Sequence, residues 1–193
     1  VVQNHLLQVL TLLAMDAPIA ADAASMHAEK LRLLRSVRPL APADVVRGQY
    51  RGYLDEQGVA KDSQVETFVS LRLHIDNWRW AGVPFFLRPG KCLQATRTEV
   101  RVELKDTPVA LFDAGAVPPN YFRFQLSPQL ELSAGMRVKR PGEGMIGEPL
   151  ELSVVDETGQ GQDGHMDAYE RLLGDAMAGD ATLFARQDVV EAA

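Results

Sequence analysis

The feature that most constrains this chain is a double change in the spacing of its apolar residues. From Gln3 to Met15, Leu6, Leu7, Val9, Leu10, Leu12, Leu13 and Ala14 cover more than half of a helical wheel, which predicts a helix packed on several sides. Asp16-Ala17-Pro18 ends it. A second helix is predicted from about Ala21 to Val37, with Leu31, Leu34 and Val37 on one face and Glu29, Lys30 and Arg32 largely on the other, until Pro39 and Pro42 stop the pattern. After Val45 the period falls to two. In Val65–Ile75 the residues Val65, Thr67, Val69, Leu71, Leu73 and Ile75 share one face of a strand, and Thr98–Lys105, Tyr121–Leu126 and Leu150–Val155 repeat the alternation. Turns are predicted at Pro118-Pro119-Asn120 and at Pro141-Gly142-Glu143-Gly144. Helices then return, with Asp167 as N-cap and Glu170 at capping-box spacing. Helices, then strands with one polar face, then helices is the segregated order of an α+β fold: a large, mainly antiparallel sheet with helices at both ends of the chain.

At 193 residues the chain is long enough to bury about 70% of its unfolded surface around one core. The formal charge of −6 argues against a nucleic-acid partner but does not exclude a small phosphorylated ligand, and from Arg88 to Lys105 five bases outnumber two acids, reversing the balance of the whole chain. No apolar run approaches the roughly 20 residues of a membrane span. The single cysteine, Cys92, fits a reducing compartment, so the expected location is the cytoplasm. Val1 begins inside a helical pattern, and Asp188–Ala193 reads as the first turns of a helix that continues. The expectation is an excised piece of a longer protein.

Four segments carry candidate chemistry. Gln3-Asn4-His5 places an imidazole at the start of a rigid helix, where a general base can sit, although a histidine near a helix end is often only structural. Lys91 follows the turn Arg88-Pro89-Gly90 and can reach a site mouth with three donors, or can be a solvated lysine. Trp78 and Trp80 bracket Arg79 and read as core packing at a strand end rather than a stacking platform. Gly159, Gly161 and Gly164 spell Gly-x-Gly-x-x-Gly, but Asp156, Glu157, Asp163 and Asp167 crowd that loop with negative charge and no parallel βαβ unit surrounds it, so it is not read as a nucleotide site. His5, His27, His74 and His165 are too scattered to suggest metal ligands.

Taken in order, Gln3–Gln8, Asp76–Phe85, Leu87–Lys91 and Asp167–Leu173 resemble the C-terminal half of the glucose-6-phosphate dehydrogenases, from one end of the chain to the other. The resemblance implies NADP-dependent oxidation of D-glucose 6-phosphate to 6-phosphoglucono-1,5-lactone, the entry to the pentose phosphate pathway. It implies that residues 1–193 form a substrate-binding and oligomerisation domain, with NADP bound mainly by an N-terminal domain outside them. His5 matches the family's general base, and the carboxylate that orients that base has no match here. Lys91 matches a substrate-binding lysine. Five residues further on, where the family carries a second basic contact, this chain has Thr96, and Arg97 is the residue that could replace it. Gln125 matches a glutamine near the sugar phosphate.

Arg88, Arg97, Arg101 and Arg123 match positions that hold a structural NADP in some members. Glu131 and Ser133 break that pattern, so no such nucleotide is expected; the arginines are read instead as pairing with Glu99 or Glu103. Subunits are expected to pair as a homodimer or homotetramer through the polar sheet face, with Arg72, Arg101 and Glu103 as candidates. The alternative is a catalytically degenerate homologue acting as a binding or assembly module, for which the sequence support is Thr96.

Overall fold

A computed structural model describes residues 1–109, 112, 118–155 and 168–193. The chain forms two compact units, Val1–Leu93 with Asp167–Ala193, and Gln94–Met166.

In the first unit a wide π turn, Val2–Leu6, leads into α1, Leu7–Ala14. Leu7, Leu10, Thr11 and Ala14 are buried at helical spacing. Leu12 and Leu13 are exposed, so α1 buries one face rather than several. Helix α2, Ala23–Arg35, is started by Asp22, whose carboxylate accepts from the Ser25 backbone N–H at 2.8 Å. Arg32 and Arg35 in its last turn complement the helix dipole. Its polar face departs from the sequence expectation, because Lys30 is buried.

Strands β1, Val45–Gly48, β2, Phe68–His74, and β3, Pro84–Leu87, pair antiparallel in that order. β2 starts later than the alternation predicts; Val65 lies outside it and is exposed. Leu71 and Leu73 of β2, with Ile75 beyond its end, join Leu87, Leu7, Leu10, Ala14 and Leu33 in the core. Each large aliphatic side chain among them contributes about 1.5–3 kcal/mol by leaving water. Helix α3, Ala168–Ala178, and helix α4, Gln187–Ala192, complete the unit, with α4 set against α2 through buried Val189. Asp167, the expected N-cap, lies outside the described residues.

The second unit is a four-stranded antiparallel sheet of β4, Thr98–Glu103, β5, Tyr121–Ser127, β6, Glu131–Lys139, and β7, Gly147–Val155. The class is α+β as expected, with the antiparallel strands divided over two sheets.

Register sorts the second sheet into two faces. Val100, Val102, Phe122, Phe124, Leu132, Ala134, Leu150, Leu152 and Val154 share one, and Arg101, Tyr121, Arg123, Ser133 and Glu151 the other. The apolar face is the more exposed. Phe122, Leu132, Leu152 and Val154 are open to solvent, while Ser133 on the polar face is fully buried. The polar face is knit to itself: Arg123 Nη2 donates to Glu131 at 2.8 Å, to Ser133 Oγ at 3.0 Å and to Glu151 at 3.1 Å. Arg101 stacks on the Tyr121 ring at 3.7 Å, and the Tyr121 hydroxyl donates to Glu151, which pushes its pKa up. The groups expected to face a partner subunit are therefore engaged within the chain. Arg101 pairs with Glu103, and Arg72 of the first sheet with Asp44.

Candidate functional site

His5 is exposed on the π turn, whose N–H groups from His5 and Leu6 both reach the Val1 carbonyl, at 3.0 and 3.2 Å. Its position is fixed from two directions. Leu7 and Leu10 anchor the following helix in the core, and Gln3 Nε2 donates to the Val190 carbonyl at 2.8 Å, tying the turn to α4. An imidazole on an anchored turn is thus open to solvent and to any group that approaches from it.

Lys91 is exposed and belongs to the same unit. The stretch before it is pinned beside β2: Val69 N–H donates to the Pro89 carbonyl at 3.1 Å, and Lys91 N–H to the Thr67 carbonyl at 2.8 Å. Gly90 sits between them, where a Cβ would come 2.9 Å from the Phe68 ring, so the chain can lie this close to β2 only without a side chain. The backbone of Lys91 is held while its ammonium has no hydrogen-bond or ion-pair partner among the described residues, which leaves its three donors for an anion.

Arg97 and Gln125 lie in the second unit. Arg97 Nη2 is 3.3 Å from Glu99, and Glu99 stands opposite Gln125 in the β4–β5 register. Gln125 Nε2 donates to the Gln129 carbonyl at 3.1 Å. The structure thus places Arg97, Glu99 and Gln125 at one end of the second sheet, and His5 and Lys91 in the other unit. The solvent-accessible pair Arg97–Glu99 contributes little to stability.

The tryptophans part company. Trp80 Nε1 donates to the Ala14 carbonyl at 2.7 Å and its ring meets Phe85 edge-on at 5.3 Å, which is the packing role expected of it. Trp78 is fully exposed and packs in no core. Between them Arg79 bonds Asp16 at 3.2 Å, and Arg32 reaches the same carboxylate; these two hydrogen bonds, Arg79's first, hold Asp16 below its ordinary pKa. This link between α1, α2 and the Trp80 turn was not legible as a motif, since its members are 16 and 63 residues apart.

Of the four arginines matched to a structural nucleotide, Arg88 is exposed with no hydrogen-bond or ion-pair partner among the described residues, and the other three are engaged. Arg97, Arg101 and Arg123 spend their guanidinium groups on Glu99, Glu103, Glu131 and Glu151, with Arg123 Nε alone left buried and unpartnered in that set. Gly159, Gly161 and Gly164 lie outside the described residues. Among the described residues no group of His, Cys, Asp and Glu could hold a metal ion, and no helix is long and apolar enough to cross a membrane.

Residues 1–193 match the family model described as glucose-6-phosphate dehydrogenase, C-terminal domain. The chain belongs to that family. It is 44% identical over 99% of its length to the glucose-6-phosphate 1-dehydrogenase of Aggregatibacter actinomycetemcomitans, of which it covers 41%. It is 40% identical over its full length to glucose-6-phosphate 1-dehydrogenase 6, cytoplasmic, of Arabidopsis thaliana, covering 38% of that protein. A solved glucose-6-phosphate dehydrogenase in complex with its substrate glucose-6-phosphate superimposes with a TM-score of 0.88 at 33% identity, over 100% of this chain and 41% of that one. The chain therefore spans about two fifths of the length of these glucose-6-phosphate dehydrogenases, which are oxidoreductases.

Proposed function

We propose that residues 1–193 are the substrate-binding and oligomerisation domain of an enzyme that oxidises D-glucose 6-phosphate to 6-phosphoglucono-1,5-lactone. The observation that carries this reading is His5, solvent-open on a turn fixed by α1 and by Val190, within a chain that matches the family from end to end. His5 accepts the proton of the anomeric hydroxyl. Lys91, unpartnered among the described residues, holds the sugar phosphate, with Arg97 and Gln125 as further contacts. The hydride acceptor in this reading is NADP, bound mainly by a nucleotide domain outside these residues. The setting is the cytoplasm, with a homodimer or homotetramer formed through the sheet, a role that the exposed apolar face supports better than the polar one.

A second reading, a catalytically degenerate assembly module, is favoured by Thr96 and by the Arg97–Glu99 pair, which together leave one basic contact occupied. Full-length enzyme assayed for NADP reduction by glucose 6-phosphate separates the two. His5→Asn is expected to lower kcat by about 10²–10⁴-fold with a modest change in KM. An unchanged kcat removes His5 as the base, and an inactive unmodified parent favours the module.

A further inference from the structure

Lys30 is the most deeply buried cation of the first unit, at 7% exposed, and no hydrogen bond or ion pair to it is found among the described residues. Its sequence neighbour Glu29 is bound instead by Arg32, at 2.8 Å. Partial loss of water by burial pushes the Lys30 ammonium below its ordinary pKa.

The side chain of Lys30 lines a cavity of about 280 Å³ between the helical segment from Asn4 to Leu12, α2 and the stretch from Thr182 to Ala185. All of its walls belong to the first unit. Asn4 and Gln8 bring two side-chain amides that bond nothing else among the described residues, while the Thr182 hydroxyl is spent on Asp180. Leu12, Met26 and Leu183 supply apolar wall. One cation, two amide donors and an apolar wall partly open to solvent suit a group with a single negative charge and planar acceptors on a short apolar stem. A phosphate dianion would find only one counter-charge.

We propose that this cavity seats a carboxylate against Lys30, either a free small carboxylate or a carboxylate side chain of the full-length protein outside residues 1–193. The proposal is independent of His5 chemistry, and its test reads stability rather than turnover. Full-length protein, Lys30→Met and Lys30→Arg are melted with and without sodium butyrate, against n-butanol and sodium chloride at matched concentration. A saturable Tm rise of about 3 °C with butyrate alone, absent in Lys30→Met, identifies a free carboxylate site. A Tm fall of similar size in Lys30→Met, recovered in Lys30→Arg, with no response to butyrate, identifies a carboxylate of the protein itself. The proposal is overturned if Lys30→Met melts at the same or higher temperature and butyrate has no effect on the parent. A fall that arginine does not recover, without a butyrate response in the parent, overturns it too, as does a butyrate response that survives in Lys30→Met.

Discussion

Replacing Gly135 by alanine tests the architecture of the second sheet at one atom. Gly135 stands opposite Tyr121 in the β5–β6 register, and the Tyr121 ring lies over its Cα. A Cβ built there meets three carbons of that ring at 2.8 Å or closer. Ordinary carbon contacts are about 3.5–4.0 Å, so the overlaps run from about 0.7 Å at the farthest of the three carbons to about 1.3 Å at the nearest. Retreat of the ring is resisted by Arg101, which covers it at 3.7 Å, and by the bond of its hydroxyl to Glu151. Gly135 is not among the glycines with positive φ, so the backbone itself accepts alanine and the whole cost is steric. Overpacking of this size costs about 1–3 kcal/mol, which corresponds to roughly a 5- to 150-fold faster exchange of the affected amides. Hydrogen exchange of β5 and β6 amides reads this directly, and urea unfolding checks it globally. In a Tyr121→Ala background the same Gly135→Ala change should be neutral or slightly stabilising, since the clash is gone and glycine is a poor strand residue. Equal destabilisation in both backgrounds would refute the argument that the ring, and not the backbone, requires glycine.

Other expectations follow from the first unit. Leu10→Ala, at a position 4% exposed beneath the His5 turn, should cost about 2–5 kcal/mol in urea unfolding, and a variant still folded should show a larger fall in kcat than rise in KM. Gly90→Ala should push Pro89–Lys91 away from Phe68 and raise KM for glucose 6-phosphate several-fold with kcat little changed, as steady-state kinetics can show. Asp16, Asp44 and Asp76 are held below their ordinary pKa of 3.8 by Arg79, Arg72 and Arg38 respectively. The stabilisation from a depressed carboxylate is present above its unfolded pKa and lost as pH falls through the folded one, so the denaturation midpoint should drop below about pH 4, and less steeply in Asp76→Asn.

The sequence was most readable where one physical signal acted alone. Both N-terminal helices, and β2, β4 and β5, could be placed because alternation or a 3.6-residue period runs uninterrupted through them. β6 escaped because Ser133, Ala134 and Gly135 give it a small-residue centre, a composition that makes sense only with the Tyr121 ring on the neighbouring strand. β1 and β3 are four residues each, and Pro84 opens β3, so neither is long enough to show a period. At the site, residue chemistry left His5 and Lys91 open to a structural or solvated reading and the family resemblance singled them out; both are exposed on held backbone. What could not be read was which charges neutralise each other: Arg97 with Glu99 is local, but Asp16 with Arg79 depends on the fold. Lys30 was hidden for the opposite reason, since a lysine that follows Glu29 on a helix looks solvated until the fold buries it.

The second sheet also has a direction to its stickiness. Its outer strands carry Glu99, Arg101 and Glu103 on β4, and Glu148, Pro149 and Glu151 on β7. Charges and a residue without an N–H discourage another strand from zipping on at either side. The exposed Phe122, Leu132, Leu152 and Val154 act at right angles to those edges. Growth into an open ribbon is thereby blocked, whereas stacking on a flat partner stays open and ends once the face is covered.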